Sequence, residues 1–460
     1  MKAHSRFNAA LLFGAALMAI ALAPMRVEAQ SACPDGRADC DGDAANGCET
    51  QLANSVAHCG ACGHACGADL VCDVGACRHD EVRPVMSHRM ILRPTGRACI
   101  TTDTGHTAIQ RATVTPVLVA NLTDAVQIAA GEEHSCAVRA TGRVSCWGIG
   151  TAGQLGDGGA EPIQRHPTIV RGLVDAVQVA ASVTHTCARR TNGAVVCWGG
   201  EQFGQLGRNA RGMGPVATPV PVASLVDTVD VAVGGYSSCA VRSTGAVVCW
   251  GRNSRGQLGD GTLVDRMSPV AVGGISDALS VSVGAEHSCA VRRGGQVMCW
   301  GFNNNGQLGD GTDTDRLTAH PVRGVSDAIA VSAGEYHTCA LRSGGDVACW
   351  GWNFSGGLGD GGRTTRSLPV VAIGVHHAVQ IRAAGNHSCA RVAGGQVTCW
   401  GANGFGESGN GSLSPLSSAA PVRWLENATD IAVGAGHVCA RRANGTVVCW
   451  GRGDSGQLGE

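Results

Sequence analysis

Seven times along this chain two cysteines stand ten positions apart, and each time the second is followed at once by Trp-Gly. The pairs are Cys136/Cys146, Cys187/Cys197, Cys239/Cys249, Cys289/Cys299, Cys339/Cys349, Cys389/Cys399 and Cys439/Cys449, followed by Trp147, Trp198, Trp250, Trp300, Trp350, Trp400 and Trp450. The period is about 50 residues, and a fixed period of that length predicts stacked copies of one small unit rather than a single continuous core. Each unit reads as four short strands rich in Val, Ala and Ile, bounded by glycine or polar turns. In the first unit they fall at 126–130, 135–139, 144–147 and 168–170. Four strands in about 50 residues make one propeller blade.

The turn between the second and third strands is short and ends in glycine, as in Thr141-Gly142 and Asn192-Gly193. A hairpin symmetric about Thr141 puts Cys136 opposite Cys146, and opposed residues of that kind lie about 4.5 Å apart at Cα, within disulfide reach. One bridge per blade is therefore expected, seven in all. The last unit stops before its fourth strand, at Leu458-Gly459-Glu460, while Thr115–Val119 precedes the first full unit and matches Ser268–Val272 of a complete one. The N-terminal strand is thus expected to close the ring by pairing into the last blade. The fold class is all-β: a seven-bladed propeller with four-stranded blades, preceded by a small disulfide-rich segment.

The repeated pattern G-x-x-H-S/T-C-A-V-R-x-x-G-x-V-x-C-W-G-x-N-x-x-G-Q-L-G-D-G-T resembles the regulator of chromosome condensation repeat. The resemblance runs from about residue 115 to the end and implies a seven-bladed propeller. It implies no activity: the best-known member is a nuclear exchange factor, whereas exported bacterial propellers of this type include inhibitors that bind secreted enzymes. The latter are the closer functional analogy.

The expected organisation is a signal peptide at 1–29, a Cys-rich segment at 30–80, a linker at 81–113 and the propeller at 114–460. Lys2, His4 and Arg6 precede an apolar run at 9–23, and Val27-Glu28-Ala29 has the form of a cleavage site. Export to the periplasm, the cell surface or the medium follows, and it suits a chain with 23 cysteines. The 30–80 segment holds Cys33, Cys40, Cys48, Cys59, Cys62, Cys66, Cys72 and Cys77 and few large apolar residues, so cross-links must replace a core. Cys99 is the odd cysteine out. Asp39, Asp41 and Asp43 alternate like calcium-loop carboxylates, but Ala44 and Thr50 occupy the positions where such a loop needs Gly and Glu, so a polar turn is the better reading. The chain carries 35 basic and 36 acidic residues with no basic run, which argues against nucleic acid as a partner. No segment reads as an integral membrane span, and the propeller is expected to be monomeric.

Six units carry a histidine two residues before the first cysteine: His134, His185, His287, His337, His387 and His437, with Ser237 in the third. One copy per blade keeps these rings apart, so they are expected to be structural, bonded to backbone at a strand start. Asp157, Asp260, Asp310 and Asp360 are expected to form turns. No nucleophile elbow or phosphate loop stands out, and no catalytic residue, metal or cofactor is assigned. The individual residues are the aromatics outside the repeat. Phe203, Phe302, Trp352, Phe354 and Phe405 fall in the loop after Trp-Gly, and Tyr236 and Tyr336 in the turn before the second strand. In an up-and-down blade these two turns share one end of the sheet. Arg252, Arg255 and Arg452 occupy the same loop in other units. The opposite end is expected to hold only glycine hairpins and Asp-Ala connections. The reading is a non-enzymatic exported binding protein that uses the aromatic face to contact a protein or glycan. The alternatives are an extracellular carbohydrate-active enzyme working in the central channel, or a structural surface protein.

Overall fold

The computed structural model describes residues 112–460 apart from 160 and 211–213, and before 112 only the backbone of six strands. Two compact units are present, Met1–Met86 and Ser87–Glu460. The first contains the short strand pairs Arg37–Ala38 with Thr50–Gln51 and Leu70–Asp73 with Ala76–His79. The expected bridges of the 30–80 segment, the state of Cys99, and Asp39, Asp41 and Asp43 lie outside the described side chains.

The second unit is an all-β seven-bladed propeller. In the first blade the strands are Ala125–Ala130, His134–Arg139, Val144–Ile149 and Ile163–Ile169, hydrogen-bonded in that order. The fourth strand starts five residues earlier than its valine-rich end suggests, because a bulge at Trp147 shifts its register from Cys146↔Thr168 to Gly148↔Gln164. The corresponding bulge recurs in every blade. The ring closes as expected: Ala112–Leu118 pairs with Val447–Arg452 and supplies the outer strand of blade seven. Strands His88–Leu92 and Arg97–Thr102, within the segment read as a linker, extend that sheet to six strands.

All seven cysteine pairs lie directly opposite in register: Cys136↔Cys146, Cys187↔Cys197, Cys239↔Cys249, Cys289↔Cys299, Cys339↔Cys349, Cys389↔Cys399 and Cys439↔Cys449. In each the sulfurs are at bonding distance. Their Cα atoms are 4.0–4.1 Å apart, closer than hairpin symmetry alone suggests. The third-strand members also pair outward just before the bulge, Cys197 with Val220, Cys249 with Val270, Cys349 with Val370 and Cys399 with Ala420. These four are fully buried, as are Cys146, Cys299 and Cys449, so they belong to the scaffold and present nothing to any surface site. The pairs belong to the cores between blades. Cys289, Val291, Val297, Cys299, Leu308 and Val322 of blade four pack on Val331, Ala340 and Trp350 of blade five. Cys187 and Cys197 lie in the core between blades two and three, Cys239 and Cys249 in the next, Cys339 and Cys349 between five and six, and Cys389 and Cys399 between six and seven. The seven Trp-Gly tryptophans are all essentially buried. Each indole lies over the glycine that ends the preceding blade's Gln-Leu-Gly, or its counterparts Gly357-Leu358-Gly359 in blade five and Glu407-Ser408-Gly409 in blade six. A Cβ on Gly309 would stand 2.7 Å from Trp350 Nε1, so only glycine fits there.

The repeated histidines clamp neighbouring blades, which corrects the expectation of a backbone partner. His134 Nε2 meets Thr186 Oγ1 of the next blade at 2.9 Å. That hydroxyl donates back to the Gln154 carbonyl, and Trp198 Nε1–H donates to the same oxygen. Since the hydroxyl proton is committed to the carbonyl, the imidazole must donate from Nε2, leaving Nδ1 bare. The same clamp forms at His185–Ser238, His287–Thr338, His337–Ser388 and, across the closure, His437–Ser135. Two joints lack it. Ser237 replaces the histidine in blade three, and Val438 replaces the hydroxyl facing His387, whose two ring nitrogens are both without partners among the described residues. Val438 is fully buried. Val438→Thr should therefore give His387 an acceptor and raise stability by about 1 kcal/mol in a denaturant titration. An unchanged or lower midpoint would contradict the clamp.

Candidate interaction face

The loop between the third and fourth strands is held from inside by one asparagine. Asn303, fully buried, donates from Nδ2 to Asp310 Oδ1 and to the carbonyls of Thr312 and Thr314, and its Oδ1 accepts from the Leu308 amide. Asn253, Asn353 and Asn403 do the same in their blades. The aspartates are turn formers as expected and also ion-pair partners: Asp310 accepts from the Thr312 amide and pairs with Arg316 at 2.7 Å, and Asp260 with Arg266 at 2.8 Å. Burial alone would raise these two carboxyls, but hydrogen bonds from Thr312 and Arg316, and from Thr262 and Arg266, outweigh it and hold both below the ordinary range. The loops are thus preorganised, with their variable residues on the outside.

Those variable residues meet across blade boundaries. Phe203 of blade two packs edge-on against Tyr236 of blade three, ring centres 5.2 Å apart, and Arg252 stands 5.4 Å over the Phe203 ring. Arg255 lies 4.9 Å over Phe302, and Glu286 holds both arginines, at 3.3 Å from Arg252 and 3.8 Å from Arg255. Trp352 and Phe354 form an edge-on pair at 5.4 Å, and Phe354 is 65% exposed. Arg452 covers Phe405 at 5.5 Å and pairs with Glu133 and Asp454. Tyr336 sits beside Glu335, its hydroxyl pushed above its usual range by burial and then by Glu335 and Glu286. The structure therefore brings the sequence-selected residues together as Arg–aromatic groups around one end of the ring. All but Phe354 and Arg255 are half-buried. The arginines of these loops are largely engaged by Glu286, Glu133 and Asp454.

Two features of this end escaped sequence reading. Glu132 and Glu335 line the mouth of the central channel, a cavity of about 460 Å³. The Glu132 carboxyl is raised by burial, then by Glu133 and Glu335. Glu407 takes the place of the repeat glutamine. It is pushed up to about 7 by burial, and it accepts a hydrogen bond from the Phe405 amide as the glutamine does elsewhere. These carboxylates come from blades distant in sequence or from a scaffold position, so no local motif announces them. Among the described residues, no group of three or more His, Cys, Asp or Glu could hold a metal ion, and no helix is long and apolar enough to cross a membrane.

The expectation of a bland opposite end needs correction. Trp424, in the connection from blade six to blade seven, is 76% exposed there. Its counterparts in the other connections are Gly172, Gly274, Gly324 and Gly374, with Asn121 and Ser224 in the remaining two, so Trp424 is the one aromatic among them.

Comparison with known proteins agrees with this architecture. The RCC1-like domain matches residues 86–390, and the regulator of chromosome condensation (RCC1) repeat matches 378–407 and 428–457. The human probable E3 ubiquitin-protein ligase HERC6 is 38% identical over 135 residues, which is 28% of this chain and 13% of that protein. The Arabidopsis thaliana ultraviolet-B receptor UVR8 is 37% identical over 145 residues, 30% of this chain and 32% of that one. The matched stretch therefore spans a third or less of each of these relatives. Among solved structures, human WBSCR16 superposes with a TM-score of 0.66 at 21% identity, covering 76% of this chain and 93% of that one. Yeast RCC1 (Prp20), solved bound to Kap60, gives 0.59 at 19% identity, covering 71% and 79%. Those two likenesses concern the fold. With two thirds of its length matched by the domain and the blade motif carried through to its end, the chain belongs to the RCC1-like domain family.

Proposed function

We propose that this protein is an exported, non-enzymatic binding protein whose aromatic face docks a protein partner. The observation that carries the reading is the pairing of rigid loops with outward aromatics. Asn253, Asn303, Asn353 and Asn403 lock the loops from beneath, and Phe302, Trp352 and Phe354 stand on top with Arg252 and Arg255 beside them. Aromatic and arginine side chains on a preorganised surface are the residue types that dominate protein interfaces. Export is supported by the basic and apolar leader pattern and by seven opposed cysteine pairs at bonding distance.

The test is a pull-down from the producing cell's envelope and medium with the wild type and with Trp352→Ala/Phe354→Ala. Loss of two central aromatics should weaken capture by roughly 30-fold, about 2 kcal/mol. Undiminished capture by a double variant with unchanged circular dichroism would overturn the assignment of this face.

A further inference from the structure

The connection between blades six and seven departs from its counterparts at three neighbouring positions. Trp424 has a φ of 55°, in the left-handed region, where Gly172, Gly274, Gly324 and Gly374 hold the same place with φ of 75–86° and the small polar Asn121 and Ser224 hold it with φ of 56°. A bulky aromatic adopts that conformation only at an energetic cost that glycine avoids, and here the indole then stands 76% exposed rather than buried. Three residues on, Asn427 replaces an aspartate. In five other blades that aspartate pairs with an arginine of the second strand: Asp124–Arg139, Asp175–Arg190, Asp227–Arg242, Asp277–Arg292 and Asp327–Arg342, at 2.6–2.9 Å. The matching arginine of blade seven, Arg442, is retained, and its guanidinium has no ion pair or hydrogen bond among the described residues. Glu426 adds a carboxylate between the two. Trp424, Glu426, Asn427, Arg442 and Asn444 line one depression of about 520 Å³.

We infer that this depression is a saccharide-binding site that takes a sugar bearing a carboxylate, a uronic acid unit. The open indole face offers a stacking surface for the C–H face of a pyranose ring. The unpaired Arg442 fork fits a single carboxylate. Asn427, Asn444 and Glu426 supply donors and acceptors for ring hydroxyls. Glu426 beside the guanidinium disfavours densely charged chains such as polyphosphate or nucleic acid. One aromatic among polar groups is too little apolar surface for the roughly 800 Å² per side of a stable protein interface. The site lies at the end of the strands opposite the aromatic loops, so it is independent of the proposed face.

An array of oligosaccharides containing galacturonate or glucuronate, with neutral counterparts, probed with the full chain tests this. Retention of the uronate members over the neutral ones is expected. Trp424→Ala should weaken it by about tenfold. Asn427→Asp, which sets a competing carboxylate in the depression beside Arg442, should weaken it comparably while circular dichroism stays unchanged. Trp352→Ala/Phe354→Ala should leave it unchanged. Uronates at the level of neutral sugars, retention by Trp424→Ala equal to wild type, or a protein captured at this depression in place of any sugar would overturn the inference.

Discussion

Lowering the pH from 7 to 5 should destabilise this protein by on the order of 10 kcal/mol, roughly 2 kcal/mol for each of six buried histidines. His134 and His337 are lowered by burial to about 4. His185, His287, His387 and His437 are lowered to about 3 by burial and then by a neighbouring histidine of the ring. In the unfolded chain each titrates near 6.5, so between that value and the folded pKa the unfolded state binds more protons. Stability is full above pH 6.5 and falls as pH drops toward 3–4. The cause is burial of the rings, and at the clamped histidines the hydrogen-bonding adds to it. Nε2–H is spent on the neighbour's hydroxyl, and a proton on Nδ1 would be a buried charge with no acceptor at His134, His287, His337 and His437. Thermal melts from pH 7 to 5 should show a steep fall, with about six protons taken up on unfolding. A flat melting temperature over that range would contradict the clamp's protonation state.

Reduction under denaturing conditions should cost still more. Each cross-link closes a loop of about ten residues, worth roughly 3 kcal/mol, so seven bridges contribute on the order of 20 kcal/mol. Because the cysteines, from Cys136 and Cys146 through Cys197, Cys249, Cys299, Cys349 and Cys399 to Cys449, are buried in the cores between blades, reductant alone should act slowly and the native fold should resist it. Alkylation of unfolded, unreduced protein followed by mass spectrometry should find the 14 propeller cysteines unlabelled. Labelling of more than a few of them would show free thiols and remove this contribution.

Most of the architecture was legible because it is periodic. The seven Cys-Trp-Gly marks counted the blades, hairpin symmetry placed each cysteine opposite its mate, and the absent last strand pointed to Thr115–Val119, which falls at the end of the closing strand Ala112–Leu118. What stayed hidden involves pairs of blades rather than single copies. The partner of His134 is Thr186, 52 residues away. The only local clue was that a hydroxyl residue follows almost every histidine and that Val438 breaks the rule. Asn303 stood in plain view within the repeat, yet its role needs the folded loop around it. Trp424 stayed hidden for the opposite reason: it stands at a position that already varies among Gly172, Ser224 and Asn121, and no repeat marks it. The aromatic residues of the loops and, in the connections, Trp424 and Asn427 are alike in differing from their counterparts in the other blades.

If the aromatic face is the docking surface, hydrogen exchange of the captured complex should show where the partner sits. The account predicts slowed exchange at 201–208, 234–236, 252–257, 302–307 and 352–357, with the hairpins near Gly142, Gly245 and Gly345 unchanged. Protection confined to those hairpins, or absent from both ends, would contradict it.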